Sequence, residues 1–166
     1  MKEKKLGTVT RDEIARALGE AKFDPPHGNI TSLPQPYQLA IGDVALKEIV
    51  NPRGTIVVIG NLVFIVTKDM TVRHAYFDAF LVVGGTLRGK TIVADSTWNG
   101  GLFAGGVEAD TLVLKDCGLE LLGKAKKPKV KRLADFEKES AAKKAVPELF
   151  ADEDVDAYGF FLALKR

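Results

Sequence analysis

A chain of 166 residues, 46% hydrophobic and 28% charged, is long and apolar enough for one folded domain with a real core. Its 24 basic and 22 acidic residues leave a formal charge of +2, which excludes a strongly charged surface over the whole molecule of the kind nucleic acid or anionic lipid selects. One cysteine, Cys117, excludes an internal disulfide and fits a reducing compartment. No apolar signal core follows the charged N-terminus, and the most apolar run, residues 55–67, is broken by Gly60 and Asn61. That run is too short to cross a bilayer as a helix, so the expected setting is cytoplasmic, with protein partners, no nucleic acid and no membrane span.

Thr10-Arg11-Asp12-Glu13 has the form of a capping box, and Ile14, Ala17 and Leu18 come next at helical spacing. A short helix is expected over residues 11–22, ended by Pro25-Pro26. Four prolines within residues 23–36 make an extended connector, completing an N-terminal segment of residues 1–36. Residues 37–50 alternate raggedly through Leu39, Ile41, Val44, Leu46 and Ile49. They read as strand or irregular helix, and as a candidate incomplete first coil. Asn51-Pro52-Arg53-Gly54 is a turn.

From Thr55 the strand signal is strong. Short runs of β-branched and apolar residues over 55–59, 62–66, 70–72, 80–83, 91–94, 101–104 and 111–114 alternate with Gly, Asp and Asn, and no helix of ordinary length fits between them. That rules against βαβ units. Residues 62–121 also repeat at an offset of 20: Thr71, Thr91 and Thr111 fall in line, as do Val63, Val83 and Phe103, then Thr67, Leu87 and Val107, then Gly85 and Gly105. A sandwich has no reason to repeat its strands at one spacing. A short single-stranded parallel β-helix, or β-solenoid, of about 20 residues per coil over residues 37–123 has every reason. Stacked coils would make Thr71, Thr91 and Thr111 a vertical ladder, with Val72, Ile92 and Leu112 beside it.

Residues 124–166 read as a charged helical flank that packs on or caps the solenoid. Lys124, Lys126, Lys127, Lys129, Lys131 and Arg132 open it, and residues 133–145 have helical composition. Asp152, Glu153, Asp154 and Asp156 precede a last helix that ends at Lys165-Arg166, the charge order a helix dipole favours. Its apolar face, Val155, Phe160 or Phe161, Leu162 and Leu164, would dock on the solenoid or on another chain.

The most specific local motif is Gly84-Gly85-Thr86-Leu87-Arg88-Gly89-Lys90-Thr91, which matches the phosphate-loop pattern letter for letter. In that reading the loop amides bind phosphates, with Gly84 and Gly89 at the turns, Lys90 on the outer phosphates and Thr91 on magnesium. The motif requires a helix from Lys90. The residues after Lys90 are instead Thr-Ile-Val-Ala-Asp-Ser, β-branched and then turn-forming, and the 20-residue repeat explains the glycines and threonine without phosphate. No catalytic residue, cofactor or metal is therefore assigned. His27, His74 and Cys117 show no metal spacing, and His74, on a strand, reads as an exposed or hydrogen-bonded ring. Asp69, Asp78, Asp95, Asp110 and Asp116 recur near coil turns; turn chemistry is the first reading, a carboxylate row for calcium or glycan chemistry the second. Tyr76, Phe77, Phe80, Trp98 and Phe103 are core or stacking residues, or in part an interaction patch. Trp98, Phe103, Tyr76, Phe160 and Phe161 are the candidate interaction residues.

Gly85-Thr86-Leu87-Arg88-Gly89-Lys90-Thr91-Ile92-Val93-Ala94 and Gly106-Val107-Glu108-Ala109-Asp110-Thr111-Leu112-Val113 resemble coils of the bactofilin, or polymer-forming cytoskeletal, group, over about residues 54–121. The resemblance implies a small bacterial β-helix that associates end to end. The folded-looking flanks depart from that group and would interfere with polymerisation. The resulting expectation is a non-enzymatic scaffold or interaction module that self-associates. The alternatives are a dedicated regulatory partner of another protein, acting through the C-terminal flank, and a phosphate-loop enzyme using residues 84–91.

Overall fold

Alternation of apolar with small or polar residues from Thr55 onward commits the chain to strands with one side turned inward. The computed structural model describes residues 2–4, 16, 19, 37–41, 44–45, 54–66, 68–95, 101–124, 126–151 and 156–164. These form a mainly β fold, a β-solenoid of about four turns, with short helices after it. The strands are β1 (Lys2–Lys4), β2 (Tyr37–Ile41), β3 (Val44–Ala45), β4 (Thr55–Val66), β5 (Met70–Thr71), β6 (His74–Asp95), β7 (Gly101–Lys115), β8 (Leu119–Leu121) and β9 (Lys129–Asp135). The longest strands run on through corners, where the ladders break and shift register between Ile59 and Val63 and between Val83 and Thr86, so the coils enclose three faces. Face A holds residues 55–59, 74–78, 91–95, 111–115 and 132–135. Face B holds 37–40, 63–66, 80–83, 101–104 and 119–121. Face C holds 44–45, 70–71, 86–89, 106–109 and 129–130. Every pairing between successive coils is parallel. The exception is β1, which runs antiparallel along β2.

The inward residues stack in columns. On face B, Phe64, Leu81, Leu102 and Leu119 are successive partners, and so are Val66, Val83, Ala104 and Leu121. On face C, Met70, Leu87 and Val107 succeed one another. On face A, Ile92, Leu112 and Leu133 do the same. Ile65, Leu81, Leu87, Ile92 and Leu112 have no exposed surface at all. Burial on this scale supplies most of the favourable free energy of the fold.

The corner between faces B and C has no room for side chains. A Cβ on Gly105 would lie 2.6 Å from the carbonyl oxygen of Gly84 and 2.7 Å from that of Gly85. One on Gly123 would meet the Gly105 carbonyl, and one on Gly85 would meet Asp69. Glycine recurs at this corner because backbone stacks directly on backbone.

The 20-residue period holds for part of the rod only. Thr91 stands beside Thr111 and Leu87 beside Val107, but Thr71 stands beside Arg88 and Val63 beside Phe80. Val83 meets Ala104, so Phe103 falls one place out of line, beside Val82. The three-threonine ladder is thus two threonines, continued by Arg132. Coils differ in length at their corners: Asp69 and Thr86, hydrogen-bonded neighbours, are 17 residues apart, whereas Arg88 and Glu108 are 20 apart. Thr67 lies outside the described residues.

Residues 37–41 and 44–45 form the first coil. Of the helix expected over residues 11–22, Arg16 and Gly19 are helical and exposed, and the remainder lies outside the described residues, as do the proline connector and His27. At the other end the solenoid continues past residue 123. β9, within the segment expected to be helical flank, is a further rung on faces C and A. Its period-two pattern is hidden by lysines on the outward positions. Helix begins only after Asp135, with a 3-10 turn Phe136–Lys138, then α1 (Glu139–Ala145), a 3-10 turn Pro147–Phe150 and α2 (Ala157–Ala163).

This flank covers a side of the rod. Val57, Tyr76, Val93, Val113 and Ala134 form an outward apolar row on face A, and they cluster with Ala142, Val146, Leu149, Ala157 and Phe161 of the flank. The docking surface of the last helix is therefore the chain's own solenoid.

Candidate functional site

Residues 84–91 lie within β6 and continue as strand to Asp95, with no helix at Lys90. Gly89 faces the interior, where a Cβ would lie 3.0 Å from Ile92 and 3.1 Å from Val72. Thr91 is buried and Lys90 exposed. A strand aims its amides at neighbouring strands, so this segment makes no cradle of amides at a helix start for phosphate. The amides of Lys90 and Thr91 are given to the carbonyl of Arg73 at 2.9 and 3.1 Å, and that of Gly85 to Lys68 at 3.0 Å.

The candidate interaction residues do not form one patch. Tyr76 and Phe161 are buried against each other, with ring centroids 5.6 Å apart, and Tyr158 lies 4.8 Å from Tyr76. They hold the flank to face A. Phe160 is half-buried beside Glu148, Leu164 and Ala163, at a cavity of 430 Å³ between the second 3-10 turn and α2. Phe103 stacks on Phe80 at 4.9 Å on the outside of face B. Trp98 lies outside the described residues.

The aspartates separate into two places. Asp78 and Asp95 are buried at the edge of face A, where the Tyr76 hydroxyl donates to Asp95 Oδ2 at 3.0 Å and Lys115 Nζ stands 3.9 Å from the same oxygen. Burial raises the Asp95 pKa, against the opposing pull of Tyr76 and Lys115. Asp69 and Asp110 belong to face C. Among the described residues no group of three or more His, Cys, Asp or Glu side chains is placed to hold a metal ion. Cys117 lies beyond the end of β7, while His74 begins the strand at the opposite edge of face A, so the two do not form a nucleophile pair. Burial pushes the Cys117 thiol up to about 11, which suppresses thiolate chemistry.

His74 is neither exposed nor fully hydrogen-bonded. It is 8% exposed, and its Nδ1 has no hydrogen-bond partner among the described residues. It stands beside Thr55 on the outer side of face A. Burial, reinforced by Arg73 and Lys90, lowers its pKa.

The charged surface is on face C. Arg88 Nη1 lies 2.9 Å from Asp69 Oδ2, Arg88 Nε 3.1 Å from Glu108 Oε2, and Lys129 Nζ 3.4 Å from Glu108 Oε1. Two residues further along the same pair of strands, Lys131 Nζ lies 2.7 Å from Asp110 Oδ1. Arg88, Glu108, Asp110, Lys129 and Lys131 border a shallow groove of about 680 Å³ floored by Gly89, Ala109 and Val130. The Thr86 amide, then Arg88, lowers the Asp69 pKa; Arg88 and Lys129 lower that of Glu108, and Lys131 that of Asp110. Such exposed pairs are individually weak, but their order along the rod is regular.

That order ends at an uncovered edge. Among the described residues β8 and β9 pair only with β7, and no other described backbone group hydrogen-bonds to either. Leu119, Leu121, Val130 and Leu133, the last members of the inner columns, are only partly buried. Lys124, Lys126 and Lys127, in the connection between the two strands, are exposed. An open strand edge over the end of an apolar core is a surface suited to another chain. The signal for β9 is present in the sequence as opposite charges at a spacing of 21, Glu108 with Lys129 and Asp110 with Lys131. It is visible only after coil lengths are allowed to vary.

No described helix is long and apolar enough to cross a membrane. Compared with family models, with curated proteins and with solved structures, the chain finds no match in any of the three.

Proposed function

We propose that this protein is a non-enzymatic interaction module: a rigid β-solenoid, working in the cytoplasm, that meets other polypeptides with its C-terminal end. The observation that carries the reading is the last rung, where β8 and β9 have an edge free among the described residues, above Leu119, Leu121, Val130 and Leu133. The flank supports it indirectly. Its apolar residues are taken up by face A, so it acts as a fixed part of the module, which weighs against the reading of the flank as an independent regulatory arm.

Self-association is the simplest form of this function, with two copies meeting through the β8 side of the end. A bactofilin-like filament needs both ends to pair, and β1 already lies along the outer edge of β2 on face B. The proposal is therefore a closed pair, as isologous contacts produce. Light scattering over a concentration series tests it, with wild type compared to L119D/L121D. A mass that doubles for the wild type and stays monomeric for a variant with unchanged circular dichroism supports the reading. A variant that pairs as well as the wild type removes the C-terminal end from the contact and overturns it.

A further inference from the structure

The charges on face C alternate from coil to coil. Along one column the order is Asp69, Arg88, Glu108, Lys129, with consecutive members in contact at 2.9, 3.1 and 3.4 Å. Two residues along each strand, Asp110 stands between coils that carry Lys90 and Lys131, and both cations act on it. Each column finishes on a lysine of β9. The side chains of Lys129 and Lys131 remain 81% and 78% exposed, so each keeps capacity on the side away from its acid. Between them Val130 closes the column of Gly89 and Ala109, half-buried, with nothing described above it.

A strand laid on this edge would meet, in order, a cation, an apolar residue and a cation. Its side chains repeat every two residues, so all three positions are read at once. We propose that β9 is a strand-addition site for an extended acidic segment of another polypeptide, one with carboxylates at alternate positions around an apolar residue. The carboxylates continue the two charge columns past Lys129 and Lys131, and the apolar residue covers Val130. The signature is the same read in either direction, so parallel and antiparallel addition both satisfy it. Lys124, Lys126 and Lys127, exposed and without an ion pair among the described residues, add a positive field at this end that draws such a segment in. A second copy of this chain is the poorer occupant of β9, because its own β9 would set Lys129 and Lys131 against the same lysines. The inference rests on the end-on reading above and names the partner's chemistry.

The probe is a labelled peptide alternating glutamate and valine, titrated against the full chain by fluorescence anisotropy. Two companions accompany it: a lysine–valine peptide, and the acidic peptide N-methylated at every amide, which keeps its charge but has no N–H to offer from either edge and cannot pair as a strand. The expected result is binding of the acidic peptide alone, weakened by salt, with hydrogen-exchange protection gained at residues 129–133. K129E/K131E should weaken it at least about tenfold and accept the lysine–valine peptide instead. Equal binding of the N-methylated peptide overturns the inference, because the contact is then charge without strand pairing. So does protection that appears elsewhere, or no binding of the acidic peptide by wild type. Those results leave self-association through the β8 side to its own light-scattering test, so the two readings fail separately.

Discussion

His74 gives the sharpest test of the packing on face A. The imidazole is 8% exposed, its Nδ1 is without a partner among the described residues, and Arg73 and Lys90 stand near enough to oppose a positive charge on it. A buried polar atom left unpaired costs about 1–3 kcal/mol. His74→Phe keeps a planar ring and removes that atom, so at about pH 8 the variant is expected to be more stable than wild type by about 1 kcal/mol, net of the slightly larger ring. The pH dependence comes from the lowered folded-state pKa. Below about pH 6.5, the ordinary imidazole value, the unfolded chain takes up a proton that the folded His74 resists. Stability contributed by the neutral ring is therefore complete above that value. It is lost as pH falls toward the folded-state pKa, at a slope of at most about 1.4 kcal/mol per pH unit. Urea unfolding followed by far-UV circular dichroism, at several values between about pH 8 and pH 5, measures both effects. His27 is common to the two proteins and cancels in the difference. If wild type and His74→Phe lose stability in parallel over that window, His74 is not the group responsible and its burial has been misread.

Gly105→Ala places a methyl group against the carbonyls of Gly84 and Gly85, 2.6 and 2.7 Å away. It is expected to lower stability by about 1–3 kcal/mol, seen as a lower urea midpoint with an unchanged slope. Tyr76→Phe removes the 3.0 Å hydrogen bond to the buried Asp95 carboxylate and leaves Lys115 at 3.9 Å as its nearest cation; a loss of about 1–2 kcal/mol is expected by the same measurement. Phe161→Ala empties a fully buried site over Tyr76 and is expected to cost about 3 kcal/mol. Native-state hydrogen exchange should show α2 opening first while the inner strands stay protected.

The solenoid was legible in the sequence because its signals are local and redundant: period-two alternation, β-branched residues and glycine punctuation from Thr55 to Leu114, with no room for helices. The coil length was legible only where corners are equal. Thr91 and Thr111 are separated by a coil of 20 residues, and their alignment was visible as a repeat; Thr71 precedes a shorter coil, and no single offset can bring it beside Arg88. β9 was obscured because strand and helix compete on composition in Lys-Val-Lys-Arg-Leu-Ala-Asp. Only the contact of its inward Val130 and Leu133 with the coil below, and of its lysines with Glu108 and Asp110, decides for strand. The aromatic residues illustrate the same limit. Tyr76 and Phe161 have the composition of an interaction surface, and they make one, but both halves belong to this chain.

The open end is a consequence of the chain beyond Asp135. The outer row of face A, from Val57 to Ala134, can be covered by any apolar surface of suitable shape, because side-chain packing needs no hydrogen-bond register. Short helices rich in alanine meet that need. The edge of β9 is different: its backbone groups need a partner that is itself extended. The segment of α1, Glu-Ser-Ala-Ala-Lys-Lys-Ala, has strong helix propensity and few strand-forming residues. Among the described residues it therefore covers the side and leaves the end. Lysines are what a soluble protein places on such an edge to discourage indiscriminate pairing. Here each lysine of β9 with a short contact to an acid is the last step of an alternating column, so the same side chains that repel a like edge prescribe the charge of one that fits.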